Sequence, residues 1–387
     1  MSEIPINKII CGEVLEVLKT LPNESVDMVM TSPPYYGLRD YKVDKQIGLE
    51  TTPAEYLQKL WAIFDEIKRV LKKDGTCFVN IGDTYAGSNQ GYGQKQKSKT
   101  GFQFIGTGQY AASQDKPPQS KWSKWRRDEL GYKTGCAIPP ELKFAGMKAK
   151  CMVMMPERFA LGMVERGWIL RNRICWFKRN AMPSSVKDRF TCTYEYVYFF
   201  VKSRRYYFDL DSVRIPHKEV SKKRILRAVS NKYKYINNKN YGGGGGINKS
   251  RPNRNTKIPI TTAELYESPR ARYHREQNMA ISQYQYGEGD YLVVNLNKKG
   301  RNPGDHWDIT TKGYKEAHFA VYPERLCEMP IKAGCPKDGL VLDCFMGAGT
   351  TGVVAKKLGR NYLGVELNPE YIKLAQNRID NIIKPML

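Results

Sequence analysis

Gly339-Leu340-Val341-Leu342-Asp343-Cys344-Phe345-Met346-Gly347-Ala348-Gly349-Thr350-Thr351-Gly352, continued by Val353-Val354-Ala355-Lys356-Lys357-Leu358, carries three kinds of local structure in a row. Leu340–Leu342 is a short apolar run of strand type, and the glycines after Asp343 permit a tight turn and a close backbone approach. The next run has helical character and stops at Gly359, a residue suited to a helix C-terminus. Its first turn leaves N–H groups without intrahelical partners. Asn361-Tyr362-Leu363-Gly364-Val365-Glu366 then reads as a second strand ending in an acid. An acid about 20 residues beyond a glycine turn stands where the ribose hydroxyls of a nucleoside can be accepted. A lone Gly-x-Gly says little, but strand, turn, helix, strand and acid together indicate a nucleoside cofactor without saying which.

A second segment lies near the other end of the chain. Val26-Asp27-Met28-Val29-Met30 reads as a buried strand and runs into Thr31-Ser32-Pro33-Pro34-Tyr35. Proline has a fixed φ and no N–H, and it pushes the preceding residue to extended backbone, so this loop holds its carbonyls in place without donors of its own. Ser32 offers a hydroxyl acceptor, and Tyr35 a face on which an unstacked base can lie. That combination suits methylation of an exocyclic amino group, a poor nucleophile whose N–H groups must be accepted before its lone pair can react. Taken alone, a plain strand-ending turn explains the segment better; the cofactor motif shifts the balance.

Between the two segments, Ala54–Leu71 has apolar residues at helical spacing, Lys72-Lys73-Asp74-Gly75 reads as its end, and Thr76–Ile81 as the next strand. Arg158–Arg166 reads as a helix and residues 168–202 as aromatic strands. Alternating strands and helices predict a doubly wound α/β sheet. No internal repeat is visible.

The chain has 387 residues, a formal net charge of +24 and a pI near 9.5, which points to a polyanionic partner. Residues 84–150 hold 12 Lys/Arg against 4 acids, and residues 216–315 hold 20 against 8. Aromatics such as Trp122, Trp125, Tyr233 and Tyr235 are interleaved with these charges. Phosphate contact is the expectation; a solvated basic loop is the alternative. The run Gly242–Gly246 reads as a flexible linker or loop tip. Nine scattered cysteines, with no Cys-x-x-Cys, read as reduced thiols and point to no metal site. No apolar run of transmembrane length and no secretory start are present, so a cytoplasmic enzyme is expected, with no membrane partner.

On these motifs the chain resembles a β-type amino DNA methyltransferase of the DNA N4-cytosine/N6-adenine methylase family, Ser-Pro-Pro-Tyr subtype. In that permuted order the catalytic motif precedes the cofactor motif. The resemblance implies a Rossmann-like fold using S-adenosylmethionine, with Ser32, Pro33, Pro34 and Tyr35 catalytic. It further implies Thr31, Phe319, Asp343, Phe345, Gly347, Gly349, Thr350, Thr351 and Glu366 as cofactor-binding, with no metal. His318-Phe319-Ala320-Val321-Tyr322-Pro323 resembles the stretch around the cofactor's methionine end, so His318 reads as packing rather than as a general base. Ile10–Leu15 resembles the strand and turn beside the adenine, with Glu13 where Asp is commoner. Arg39-Asp40-Tyr41 reads equally as a DNA contact or an internal ion pair.

The expected organisation is therefore a catalytic core part at 1–83, a basic insertion at 84–150, a second core part at 151–215, a target-recognition region at 216–315, and the cofactor-binding part at 316–387. Ser32 resembles the cytosine-N4 enzymes, so cytosine N4 in double-stranded DNA is the first expectation and adenine N6 the second. A non-catalytic nucleic-acid-binding protein is the reading from another class, and RNA or a protein amide the other possible substrate. A cognate restriction endonuclease is a possible partner, with the chain acting as monomer or homodimer.

Overall fold

The computed structural model describes residues 4–41, 43–86, 147–148, 150–184, 186–220, 297, 299–311 and 321–382, together with the backbone pairing of 104–105 to 109–110. Two compact units emerge: Met1–Ser212 with Gly304–Leu387, and Val213–Pro303. In the second unit, among the described residues, Ile215 and Arg301 form an isolated antiparallel bridge.

The first unit is built on an eight-stranded sheet. In chain order its elements are β1 (Lys8–Cys11), α1 (Val14–Thr20), β2 (Val26–Thr31), α2 (Pro53–Val70) and β3 (Leu71–Ile81). After the two-residue strands β4 (Phe104–Ile105) and β5 (Gln109–Tyr110), which pair with each other, come α3 (Met155–Glu165), β6 (Ile169–Phe177) and β7 (Tyr194–Val201). The sheet closes with β8 (His306–Asp308), α4 (Glu324–Gly334), β9 (Leu340–Asp343), α5 (Thr350–Lys357), β10 (Asn361–Glu366) and α6 (Pro369–Asp380). Strand order is β1-β10-β9-β2-β3-β7-β6-β8. All neighbouring pairs are parallel except β3 with β7 and β7 with β6.

Alternate residues of the central strands bury on opposite faces. Val29, Leu342 and Phe200 join one core with Val17 of α1, Phe64 of α2 and Phe159 of α3. Met28, Met30, Val341 and Phe199 join a second core with Leu326 of α4, Val353 of α5 and Ile379 of α6. Helices therefore cover both faces, as a parallel sheet with apolar residues in both registers requires. The chain runs from β1 at one edge back to β2 beside β9, and the connections of β9 and β2 depart in opposite directions. That divergence opens a crevice at the carboxyl ends of the two strands.

Two boundaries differ from expectation. Lys72-Lys73-Asp74-Gly75 does not form a separate turn: Leu71 is already extended and pairs with Val26, and a register shift between Val26 and Met28 absorbs the polar residues within β3. Gly75 fits because a Cβ there would lie 2.9 Å from the Asp27 carbonyl oxygen. Helix α3 starts at Met155, three residues before the expected Arg158, with Met154 left-handed at its N-cap.

Of the interval 216–315, residues 221–296 lie outside the described residues. Its end contributes β8 to the main sheet, where Trp307 pairs with Trp176. Most of 84–150 also lies outside the described residues, including Trp122 and Trp125, as do Tyr233, Tyr235 and Gly242–Gly246.

Candidate active site

At the carboxyl end of β9, Asp343 is 1 % exposed and accepts four hydrogen bonds. Thr31 Oγ1 donates to Oδ1 at 2.7 Å and the Phe345 N–H to the same oxygen at 3.1 Å, while Thr351 Oγ1 reaches Oδ2 at 2.6 Å and the Tyr322 hydroxyl at 3.0 Å. Burial pushes the carboxyl up from its ordinary range, and these donors oppose it. Asp343 thereby joins the end of β2, the start of α5 and the segment before α4 at one buried point. Tyr322 lies 2.5 Å from Thr351 Oγ1, and burial followed by the Asp343 charge raises its hydroxyl well above the ordinary phenol.

Beyond Asp343 the backbone turns through Gly347 at φ 49° and Gly349 at φ 77°, left-handed conformations that favour glycine. A Cβ on Gly349 would meet Ala375 of α6 at 2.7 Å, so this turn also needs glycine for packing. Glu366, at the end of the neighbouring β10, accepts the Gly347 N–H at 2.7 Å on Oε2 and the Asn368 N–H at 2.9 Å on Oε1. Burial raises its carboxyl, opposed by the backbone N–H groups around it. Each oxygen retains a lone pair for a further donor.

On the other side of the crevice, β2 ends in fully buried Thr31 and the Ser-Pro-Pro-Tyr loop begins. Three elements pin that loop. From α2, the Tyr56 hydroxyl donates to the Pro34 carbonyl at 2.7 Å. The Tyr35 hydroxyl reaches Glu195 Oε2 of β7 at 2.8 Å and Asn80 Oδ1 of β3 at 3.1 Å. Asn80 is itself fixed by donating to the Tyr196 carbonyl at 3.0 Å, and Glu195 by an ion pair with Lys178 at the end of β6. Burial, then the Glu195 charge, holds the Tyr35 hydroxyl protonated well above its ordinary range. Gly82 leaves room for the Tyr35 ring, since a Cβ there would lie 2.3 Å from the ring edge. Ser32, Pro34 and Tyr35 are half-buried and Pro33 is buried.

The two expected sets of residues thus converge at the ends of adjacent strands, with the Thr31–Asp343 hydrogen bond linking them across 312 positions of sequence. Thr350 is buried, its hydroxyl accepting from Arg378 at 3.2 Å, and Phe345 is half-buried. Phe319 and His318 lie outside the described residues. Glu13 acts locally, its carboxylate capping α1 by accepting from Leu15 at 3.1 Å and Glu16 at 3.0 Å. Sequence reasoning missed Tyr56, Asn80, Lys178 and Glu195. A signal existed for two of them, because Asn80 and Glu195 are polar intrusions in the otherwise apolar or aromatic strands Cys77–Ile81 and Tyr194–Val201.

Among the described residues no group of three or more His, Cys, Asp or Glu could hold a metal ion, and no helix is long and apolar enough to cross a membrane.

Comparison with known proteins follows the same outline. Residues 26–377 match the DNA methylase family of N6 and N4 methyltransferases. The chain is 33 % identical over 368 residues to the Type II methyltransferase M.Cfr9I of Citrobacter freundii, covering 95 % of this chain and 86 % of that protein. It is 30 % identical over 372 residues to M.SmaI of Serratia marcescens, covering 96 % and 90 %. Among solved structures, the PvuII DNA methyltransferase, described as cytosine-N4-specific, superimposes with a TM-score of 0.53 at 18 % identity, covering 98 % of this chain and 89 % of that one. That likeness extends to the fold.

Proposed function

The chain belongs to the DNA methylase family, and on that premise we propose that it methylates the exocyclic N4 of cytosine in duplex DNA, acting on a base turned out of the helix. S-adenosylmethionine is the methyl donor of this family and, when bound, supplies a methyl group attached to a positively charged sulfur. The crevice fits such a molecule. Glu366 keeps free lone pairs for two ribose hydroxyls, Gly347 leaves the backbone bare, and Phe345 offers a half-buried apolar surface. In this reading Gly347, Gly349, Thr350 and Thr351 hold the methionine side through the turn and the first turn of α5, and Asp343 with Thr31 keeps that turn registered against the catalytic loop.

The observation that carries the reading is the pinned Ser32-Pro33-Pro34-Tyr35 loop beside the glycine turn. An aryl amino group reacts only after its lone pair is withdrawn from the ring, which requires acceptors at both N–H groups in fixed positions. Ser32 Oγ is one such acceptor, and the proline-restricted carbonyls of the loop supply the other. Tyr35, its hydroxyl tied to Glu195 and Asn80, presents its ring to the base. With S-adenosylmethionine held on the glycine turn and Glu366, its methyl group would be available to the amino nitrogen that Ser32 and the loop carbonyls orient, and the proton released from that nitrogen would pass to solvent. The choice of cytosine over adenine is supported by Ser32 at the first loop position, which resembles the cytosine-N4 enzymes, whereas Asp or Asn there resembles most adenine-N6 ones. A companion endonuclease cutting the same sequence accords with the Type II names of the relatives.

Nucleoside analysis of DNA from cells expressing the protein tests this. N4-methylcytosine is the expected product, at a reduced level with a Ser32→Ala variant. N6-methyladenine in its place contradicts the choice of base.

A further inference from the structure

The β6–β7 connection, residues 178–193, lies at the same end of the sheet as the catalytic loop, because β7 starts beside the carboxyl end of β3 and Glu195 just beyond the connection holds Tyr35. Phe190 in this connection is 97 % exposed, the most exposed large apolar side chain among the described residues, and Met182 is 63 % exposed. Apolar side chains exposed singly are common on protein surfaces; Phe190 is set apart by its place at the site's end of the sheet and by the anchoring of its loop. The backbone beneath it is fixed on both sides. Lys150 pairs with Asp188 at 2.5 Å, and the Arg189 guanidinium lies 4.0 Å over the Tyr85 ring while donating to the Phe190 carbonyl at 3.2 Å. Cys192 Sγ is 3.5 Å from the Tyr85 hydroxyl, and Asn180 exchanges hydrogen bonds with Thr311 at 2.7 and 2.9 Å. The connection is basic, with Lys178, Arg179, Lys187 and Arg189 against Asp188; Lys178 is paired with Glu195 and Arg179 with Asp308, so Lys187 and Arg189 beside Phe190 are the cations placed for phosphate.

An apolar side chain on an anchored, positively charged loop beside a base-accepting site has one evident partner. We propose that Phe190 enters the duplex as a wedge, filling the space that the extruded base leaves in the stack while the loop's cations meet the flanking phosphates. Extrusion costs the pairing and stacking of one base, and an apolar residue inserted at that position offsets part of the loss. The proposal rests on the reading of the protein as a base-extruding duplex methyltransferase, but not on which base is the target.

The test compares single-turnover methylation of two duplexes carrying the protein's own site, identified by sequencing DNA from the expressing host. One duplex has the target base normally paired; in the other it faces an abasic position, where extrusion is already nearly free. Phe190→Ala should slow transfer on the paired duplex about tenfold or more and stay within about twofold of wild type on the abasic one, with cofactor affinity unchanged. Phe190→Leu should recover most of the rate. Equal rates on the paired duplex overturn the proposal, as does an equal slowing on both duplexes, which would mark Phe190 as a contact to DNA or protein outside the extrusion step. If the modified base proves to be adenine, the cytosine reading fails, and the same comparison on an adenine duplex still decides the wedge.

Discussion

The loops leaving β9 and β2 start from neighbouring strands and are built on opposite principles. The first is a glycine turn whose geometry comes from its own backbone, with Gly347 and Gly349 left-handed and Glu366 gripping one N–H. The second contains two prolines and is fixed by side chains from other elements, Tyr56 on α2, Asn80 on β3 and Glu195 on β7. A backbone that must approach a ligand closely cannot carry side chains, so it has to be shaped by conformational freedom. A loop that must present acceptors at fixed points cannot be free, so it has to be clamped. In the function proposed above, the first half binds cofactor and the second orients the target amino group, and the Thr31–Asp343 hydrogen bond joins the two.

Substitutions that break one half should leave the other working. The largest effect is expected from Tyr35→Ala, which removes the stacking face, worth about 1–3 kcal/mol per base, together with the hydroxyl that Glu195 and Asn80 hold. Turnover should fall about a hundredfold with cofactor affinity retained in calorimetry. Tyr35→Phe keeps the face and loses only the anchor, so it should fall about tenfold; equal losses in the two variants would leave stacking without a role. Glu366→Ala acts on the other half. Hydrogen bonds to a charged acceptor contribute about 1.5–3 kcal/mol, so cofactor Kd should rise between about ten- and a hundredfold, with turnover at saturating cofactor preserved. Unchanged affinity in the folded variant would sink the role given to Glu366.

A smaller loss is expected from Tyr56→Phe, which frees the Pro34 carbonyl from its clamp. One neutral hydrogen bond is worth about 0.5–1.5 kcal/mol, and turnover should drop severalfold at unchanged cofactor Kd. The mildest test is pH. Burial raises the Glu366 carboxyl above the ordinary 4.5, so on acidification it takes up a proton earlier than a free glutamate and becomes a poorer acceptor. Cofactor affinity should weaken as pH falls, with a midpoint above 4.5, and this dependence should vanish in Glu366→Gln.

The glycine half of the site was legible in the sequence because its parts are local: strand, turn, helix and acid succeed one another within Gly339–Glu366. The Pro-Pro motif was equally legible as a segment. Its clamp was not, because Tyr35 meets Glu195 across 160 positions and Asn80 across 45, and only the pairing of β3 with β7 brings those strands together. Glu13 illustrates the converse. Its partners are local, the N–H groups of α1 that its carboxylate caps, yet its resemblance to the turn beside the adenine assigned it no role. The start of β3 at Leu71 was hidden because Lys-Lys-Asp-Gly has the composition of a turn, and only pairing with Val26 makes it strand.

The division of labour is tested most directly by Ser32→Ala, which deletes the side-chain acceptor and leaves Tyr56, Asn80 and Glu195 in place. Single-turnover methyl transfer should be measured at saturating DNA and cofactor, with calorimetric cofactor affinity on the same preparation. If the loop orients the amino group, transfer slows at least about tenfold at wild-type affinity. Wild-type transfer, or a loss of cofactor binding that explains the slower rate, would contradict the division.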